Sequence, residues 1–200
     1  FVEEGATVIF TGRREREGDA VAKRIGAKAQ FIQADATSEA DWVRVIKATM
    51  DKHKRLDVLF NNAGGPAPTG GIESVPVDGF DAAMALLIRS VMLGMKHAAP
   101  IMKHQRAGSI INNGSIAGHL AGYSSSMIYS AAKAAVIHLT RCVAMELGEH
   151  FVRVNSVSPG AIATGIMIKA LGMEASKADS LADDMKAIYA KGQPIQRAGI

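Results

Sequence analysis

The segment YSAAK, Tyr129 to Lys133, places a phenol and an ammonium four residues apart. An apolar-periodic run continues from Ala134 to Leu139, which predicts a helix with Tyr129 and Lys133 on one face. Because a nearby ammonium favours the phenolate, Lys133 is expected to lower the Tyr129 pKa from about 10 toward neutrality. A phenol that exchanges its proton near neutral pH can serve as a general acid or base. Alone, the pair is weak evidence, since Tyr-x-x-x-Lys occurs by chance in many helices.

Three further segments strengthen this interpretation. They are NNAGG (Asn61 to Gly65), IINNGSIAG (Ile110 to Gly118) and VNSVSPGAIAT (Val154 to Thr164). With YSAAK, in this order and spacing, they resemble the short-chain dehydrogenase/reductase family over nearly the whole chain. The resemblance implies an α/β fold, a doubly wound Rossmann-type three-layer structure with a mostly parallel sheet. It implies one NAD(P)-binding domain over residues 1–200.

The resemblance assigns catalytic roles to three residues: Ser115, Tyr129 and Lys133. Ser115 is expected to hydrogen-bond the substrate oxygen and hold it against Tyr129. Tyr129 is expected to exchange the proton with that oxygen. Lys133 is expected to lower the Tyr129 pKa and to bind the nicotinamide ribose.

Besides Tyr129 and Lys133, the residues expected to contact the cofactor lie in four loops. They are Arg13, Asp35, Asn62, Ala63, Gly64, Pro159, Gly160, Ile162 and Thr164. Small residues after the buried run Leu56 to Phe60 let the backbone approach a flat cofactor closely, and a neighbouring asparagine can tie strands together. The resemblance places the Ile162 backbone and the Thr164 hydroxyl at the nicotinamide carboxamide.

The end of the first strand bears on the choice of cofactor. Where the family often has an acid against the adenosine ribose, this chain has Gly12 followed by Arg13 and Arg14. A guanidinium can pair with a 2′-phosphate bidentately, so NADP is favoured and NAD stays possible. Alternatively, both arginines are solvated and pair with Glu15 and Glu17.

Three polar residues carry a second interpretation. Asp35 falls where the family places an acid near the adenine ring, but it is equally typical of a turn or cap. Ser115 without the resemblance would be an ordinary residue of a Gly/Asn-rich turn. His119 is expected to be a loop residue at the rim of the pocket rather than a base.

One position departs from the family pattern. Alignment of the long helical segment from about Val77 to Lys103 puts Leu87 where an Asn usually holds a water that relays protons to the Lys. Leu has no polar atom for that purpose. Leu87 is therefore given no catalytic role.

Composition limits the other classes of function. The chain has 200 residues, 48% of them hydrophobic, and a formal charge of +4 that is scattered along the sequence, which argues against nucleic-acid binding. No apolar run approaches the length of a membrane span, and no His, Cys and acid cluster has metal-ligand spacing. The single Cys142 excludes an internal disulfide and, in a helical apolar pattern, is expected to be a small buried hydrophobe. The cytoplasm is the expected compartment.

The two ends predict a portion of a longer protein. FVEEGATVIF is typical of a helix end, a turn at Gly5 and a strand from about Ala6 to Phe10, whereas a Rossmann unit starts one strand earlier with a glycine-rich turn. The family's final strand is also not seen. Residues 165–191 are Met-rich and are expected to form a substrate lid, with ordinary core methionines as an equally strong alternative.

The resemblance to the short-chain dehydrogenase/reductase family implies reversible hydride transfer between a nicotinamide cofactor and a secondary alcohol or ketone. A non-catalytic dinucleotide-binding regulatory or scaffold relative is the main alternative, and Leu87 supports it. An epimerase or dehydratase acting on a nucleotide-linked sugar would need a larger substrate domain. The resemblance also implies a homotetramer or homodimer.

Overall fold

The computed structural model describes residues 1–162 together with Lys186 and Ala190. Its strands are β1 (Val8–Gly12), β2 (Ala29–Gln33), β3 (Val58–Asn61), β4 (Gly108–Asn113) and β5 (Val152–Val157). Its helices are α1 (Glu15–Ile25), α2 (Glu39–His53), α3 (Val77–Met84), α4 (Ser90–Gln105) and α5 (Met127–Leu147). Strands and helices alternate along the chain, as expected for a doubly wound α/β fold.

All strand pairs among the described residues are parallel. β1 pairs with β2, and β4 lies between β3 and β5. The sequence predicted one sheet, but the described strands form two, because β1 and β3 share no ladder. The arrangement nevertheless matches the doubly wound order 3-2-1-4-5-6 without its first strand, which in that order lies between the second and fourth.

The first strand begins later than predicted. Residues Phe1 to Ala6 form a turn in which Gly5 has φ +92°, with hydrogen bonds from Gly5 N to Val2 O and from Ala6 N to Phe1 O. This turn occupies Ala6, so the ladder starts where Val8 meets Ala29. The strand covers Val8–Gly12 rather than Ala6 to Phe10.

The predicted helix from Val77 to Lys103 is interrupted by one wide turn. α3 leads into a π-helical segment, Ala85–Arg89, before α4 continues to Gln105. Such π segments are rare and often lie at functional sites. Leu87 sits in this segment and is completely buried.

A hydrophobic core covers one face of the three-stranded sheet. It combines Leu59 of β3, Ile110 of β4 and Val154 of β5 with side chains from α4 and α5, and Trp42 of α2 packs against it. On the opposite face Val58 and Phe60 are 46% and 40% exposed among the described residues. The residues that end the strands are therefore held by a helical layer on one side and stay accessible on the other.

Two classes of site find no support in the described part of the chain. None of its helices is long and apolar enough to cross a membrane. It also holds no group of three His, Cys, Asp or Glu side chains that could bind a metal ion.

A candidate active site at the carboxyl ends of the strands

The N-terminus of α5 presents the YSAAK segment. Ser126 caps the helix, since its Oγ accepts a hydrogen bond from Tyr129 N at 3.1 Å. The same Oγ donates to the main-chain oxygen of Pro68 at 2.5 Å, which ties the helix start to the loop after β3. The cap fixes where the helix begins, and hence the direction in which Tyr129 and Lys133 project.

Tyr129 and Lys133 share one face of α5, as predicted. The Lys133 Nζ lies 5.6 Å from the centroid of the Tyr129 ring. Tyr129 is half-buried, whereas Lys133 is 3% exposed. The apolar run that follows is mostly on the buried side, with Val136 and Ile137 buried, although Ala134 is exposed.

Ser115 joins this pair from the end of β4. It follows the strand by two residues and caps a short 3-10 turn, Ile116–Gly118, through a hydrogen bond from Ala117 N to its Oγ of 3.2 Å. Burial raises the pKa of the Tyr129 phenol, and a hydrogen bond between this phenol and the Ser115 side chain partly opposes the shift, so the two side chains are neighbours. The turn also packs tightly on α5, because a Cβ at Gly118 would lie only 2.7 Å from the Lys133 carbonyl carbon.

The predicted effect of Lys133 on Tyr129 is wrong for the protein alone. Burial raises the pKa of the Tyr129 phenol above its ordinary value, and only the Ser115 hydrogen bond opposes this. Burial also lowers the pKa of Lys133 to about 8. The physical reason is that both groups lie in the protein interior, where loss of hydration disfavours each charged form.

Leu87 lines the site with apolar surface. It belongs to a buried cluster with Ala83, Ile128 and Ala132, against which Tyr129 packs. This agrees with the expectation that Leu87 supplies no polar contact. The Lys133 ammonium instead donates to the main-chain oxygen of Asn113 at 2.6 Å.

The residues predicted at the adenosine end meet beyond β1 and β2. Arg13 is exposed. Hydrogen bonds from Thr37 lower the pKa of the Asp35 carboxyl, and the nearby positive charge of Arg13 adds to this lowering. Asp35 acts as a turn residue: its Oδ1 accepts hydrogen bonds from Thr37 N and Thr37 Oγ1, both at 2.8 Å. Arg14 forms an ion pair of 3.7 Å with Glu17, so the alternative of paired arginines applies to Arg14.

Asn62, Ala63 and Gly64 follow β3 and are all exposed. The sequence predicted that Asn61 or Asn62 ties neighbouring strands together, and both do so. Asn61 Nδ2 donates to Asn112 Oδ1 at 2.8 Å, and Asn62 Oδ1 accepts from Asn113 Nδ2 at 3.0 Å.

The loop after β5 lies beside the Ser115 turn. Ile116 N donates to the main-chain oxygen of Pro159 at 3.0 Å. Gly160 is exposed and Ile162 is half-buried, and the Ile116–Pro159 contact brings this predicted cofactor loop next to the turn that holds Ser115. Thr164 and the predicted lid, 165–191, lie outside the described residues, apart from Lys186 and Ala190.

The positions of His119 and Cys142 can be compared with those predicted from the sequence. His119 is exposed at the end of the Ser115 turn, and its Nε2 lies 2.9 Å from Ser158 Oγ, in agreement with a place at the rim. Cys142 was expected to be buried but is exposed. The reason is that the buried stripe of α5 runs through Thr140 and Leu147, and Cys142 falls outside it.

A buried polar network around Asn112 and the contact between Asn113 and Lys133 were not predicted from the sequence. Asn112 Nδ2 donates to Thr140 Oγ1 at 2.9 Å, which connects the Asn61–Asn112 pair of β3 and β4 to α5. The signal was available, because two consecutive asparagines end each of the strands β3 and β4. Paired asparagines at the same edge of neighbouring strands indicate cross-strand amide contacts.

The chain matches a known protein family along almost its full length. The model of the family described as enoyl-(acyl carrier protein) reductase matches residues 1–199. The (+)-borneol dehydrogenase 2 of Salvia officinalis is 36% identical over 200 residues, covering 98% of this chain and 70% of the relative. Tropinone reductase-like 1 of Erythroxylum coca is 35% identical, covering 83% of this chain and 62% of the relative.

A bacterial relative and two solved structures agree with this match. The trans-4-hydroxycyclohexanecarboxylate dehydrogenase of Sinomonas cyclohexanicum is 39% identical, covering 80% of this chain and 64% of that protein. The chain thus spans 62% to 70% of the length of these three relatives. A short-chain dehydrogenase from Streptomyces avermitilis superposes with a TM-score of 0.75 at 29% identity, covering 80% of this chain and 58% of that one. A structure from Burkholderia xenovorans gives 0.76 at 30% identity, covering 85% and 70%. The chain belongs to the short-chain dehydrogenase/reductase family.

Proposed function

We propose that this chain carries the active site of an oxidoreductase that moves a hydride between a nicotinamide cofactor and the carbon of a secondary alcohol or ketone. One observation carries the proposal: Ser115 and Lys133 lie next to the Tyr129 phenol at the carboxyl end of β4. In open α/β sheets this edge is where ligands bind. The dehydrogenase and reductase names of its relatives agree with the same class of reaction.

The residues around the site fit a dinucleotide. Ala63 and Gly64 are small and exposed, so a flat ring system can approach their backbone closely. The Lys133 ammonium, at 2.6 Å from the Asn113 oxygen, keeps further donors for ribose hydroxyls. A nicotinamide cofactor, when bound, would supply or accept the hydride.

The protein's own residues account for the proton. In reduction, the Tyr129 phenol would donate its proton to the carbonyl oxygen, which Ser115 holds by a hydrogen bond. In oxidation, the proton of the alcohol would return to Tyr129. Because burial raises the pKa of the phenol, the resting protein holds Tyr129 in its protonated form, ready for reduction. Placement of the reacting groups against one another then contributes to the rate enhancement.

NADP is the favoured cofactor. Arg13 follows β1 and is exposed. The preceding residue is Gly12 rather than an acid, so no carboxylate at that position would repel a 2′-phosphate paired with the Arg13 guanidinium. NAD is the alternative, because the Asp35 carboxylate brings negative charge close to Arg13. The cofactor would extend from this end toward Asn62 and then to Pro159, Gly160, Ile162 and Thr164.

The substrate is proposed to be a small molecule and the compartment the cytoplasm. A homotetramer or homodimer is the proposed assembly, on the strength of the resemblance. Light scattering during gel filtration measures the assembly directly, and a monomer at micromolar concentration would contradict it.

Replacement of Tyr129 by Phe tests the catalytic proposal. Tyr129→Phe removes the exchangeable proton and keeps the ring, so kcat should fall by about three orders of magnitude or more while the cofactor Kd changes less than about threefold. Turnover is measured on a panel of secondary alcohols and ketones, with cofactor binding followed by fluorescence. Turnover of Tyr129→Phe equal to that of the parent would reject the proposal.

A non-catalytic dinucleotide-binding relative is the second candidate. Fully buried Leu87, where the family usually has a polar residue, favours it. On this alternative the parent protein binds NADP or NAD but turns over no alcohol or ketone in the same panel.

A further inference from the structure

Within the described part of the chain, the Lys133 ammonium donates a hydrogen bond to a main-chain oxygen. Lys133 is 3% exposed, and its Nζ donates to Asn113 O at 2.6 Å. A buried ammonium is costly unless protein acceptors replace the water that it loses. The position of the Asn113 carbonyl therefore decides where the Lys133 ammonium lies.

Asn113 is held differently on its two sides. Toward β5 the ladder continues to the pair Asn113↔Val157. Toward β3 the register ends one residue earlier, at Asn61↔Asn112. On that side the Asn113 side chain takes over, since its Nδ2 donates to Asn62 Oδ1 at 3.0 Å. This amide contact extends the connection between β3 and β4 to the residue whose carbonyl binds Lys133.

Stability alone does not explain an asparagine at this position. Asn113 Oδ1 is buried and has no hydrogen-bond partner among the described residues. An unpartnered buried oxygen destabilises the folded protein, because it has lost its hydration without gaining a donor. The side-chain amide of the neighbouring Asn112 already forms hydrogen bonds with Asn61 and Thr140. Leu87 has no polar atom that could donate a hydrogen bond. The contact that the Asn113 side-chain amide makes among the described residues is its hydrogen bond to Asn62.

We propose that Asn62 and Asn113 form a positioning pair that holds the Asn113 carbonyl, and through it Lys133, in place for the reaction. The inference rests on the proposed function, in which Lys133 binds the cofactor and faces Tyr129. Tyr129 is the titratable group that faces Lys133 from α5. The end of β4 and the 3-10 turn present the uncharged Asn113 and Ser115.

The variant Asn113→Ala removes the amide and keeps the main-chain carbonyl. The Lys133 titration is followed by NMR in protein with ¹³C-labelled lysine, without cofactor or substrate, and Lys133→Met assigns the signal. Because a displaced carbonyl stabilises the ammonium less, the midpoint should move about half a pH unit or more to lower pH. In the assay, kcat should fall several-fold while the substrate KM stays within twofold.

Asn62→Ala tests the pair from its exposed side, where a folding defect is not expected. It should reproduce the shift, and the double variant should add nothing further, because both substitutions break one contact. Asn155→Ala, an exposed asparagine on β5, is the matched control and should leave the midpoint and kcat unchanged.

Two results would overturn the inference. One is a midpoint and a kcat that stay at the parent values in both Asn113→Ala and Asn62→Ala. The other is an equal effect from Asn155→Ala. The NMR titration needs no turnover, so an inactive parent protein would reject the proposed function and still leave the positioning pair measurable.

Discussion

Lys133 combines a catalytic assignment with an unfavourable environment. Burial lowers its pKa to about 8 from the ordinary lysine value of 10.5. A difference of this size corresponds to a cost of about 3 kcal/mol for keeping the side chain charged in the folded protein at neutral pH. A residue that destabilises the fold in this way is typical of an active site rather than of a core.

Lys133→Met should therefore stabilise the protein while abolishing turnover. At pH 7 the free energy of unfolding should rise by about 2 kcal/mol. This is less than the full cost of the buried charge, because the Asn113 carbonyl loses its hydrogen-bond donor in the variant. Between the folded pKa of about 8 and the unfolded value of 10.5, the unfolded state binds more protons, so the parent gains stability as pH rises. The advantage of the variant should shrink over this range.

Urea unfolding at several pH values measures both quantities. Leu139→Met, on the same helix but outside the site, is a suitable control for a hydrophobic substitution. A Lys133→Met protein that is less stable than the parent at pH 7 would contradict the burial argument.

Arg13 should control the choice between the two cofactors. Arg13→Asp replaces the guanidinium with a carboxylate at the end of β1, where it would repel a 2′-phosphate and accept hydrogen bonds from ribose hydroxyls. NADPH affinity should fall at least tenfold, and NADH affinity should stay equal or improve. Arg14→Asp, whose parent residue already pairs with Glu17 at 3.7 Å, is the control. Equal losses for both cofactors in Arg13→Asp would contradict an NADP preference.

Residue-scale chemistry was only partly predictable. The Tyr129–Lys133 pair and Ser115 could be named from the motifs. The direction of the Tyr129 pKa could not, because it depends on the depth of burial, which sequence spacing does not give. The exposure of Cys142 was missed for a similar reason, since α5 buries only one stripe.

At the scale of elements, the contact between the Ser115 turn and α5 is very close. A Cβ at Gly118 would approach the Lys133 carbonyl carbon at 2.7 Å and Ala134 N at 2.8 Å. Main-chain atoms of a helix cannot move aside as a flexible side chain can. The absence of a side chain at Gly118 therefore allows the Ser115 turn to lie close against the main chain of α5.

Gly118→Ala should displace the turn from the helix. We expect a loss of about 1–3 kcal/mol in the free energy of unfolding, as for overpacking of a core, and a drop of at least tenfold in kcat. Gly148→Ala is the matched control, because a Cβ there meets nothing within 4 Å and the backbone is helical at φ −58°. That control should be neutral or stabilising by up to about 1 kcal/mol. Full stability and activity in Gly118→Ala would contradict the close packing.

Element boundaries followed from local signals where such signals exist. Ser38 caps α2, since its Oγ accepts a hydrogen bond from Asp41 N at 3.3 Å, and serine is a preferred residue at this position. The π segment Ala85–Arg89 was not predictable, since its residues continue the apolar helical pattern without Gly or Pro. Leu87 within this segment is completely buried, and burial of this kind depends on tertiary packing.

At the scale of the whole molecule, the order of strands brings distant segments to one edge. The ends of β3, β4 and β5 carry Asn62, Ser115 and Pro159, and α5 adds Tyr129 and Lys133. The motifs predicted this convergence because parallel strands of a doubly wound sheet share a carboxyl edge. They did not predict two separate sheets, because the pairing of β1 depends on a neighbour that is not among the described strands.

The proposed function requires that the intact protein transfers a hydride at this edge. A secondary alcohol carrying deuterium at the carbinol carbon tests it most directly, with the reduced cofactor analysed by mass spectrometry. We predict one deuterium in the reduced cofactor per ketone formed, and no labelled cofactor above background with Tyr129→Phe. Cofactor that binds to the parent protein but stays unlabelled, across the panel of alcohols, would contradict the claim and favour a non-catalytic dinucleotide-binding protein.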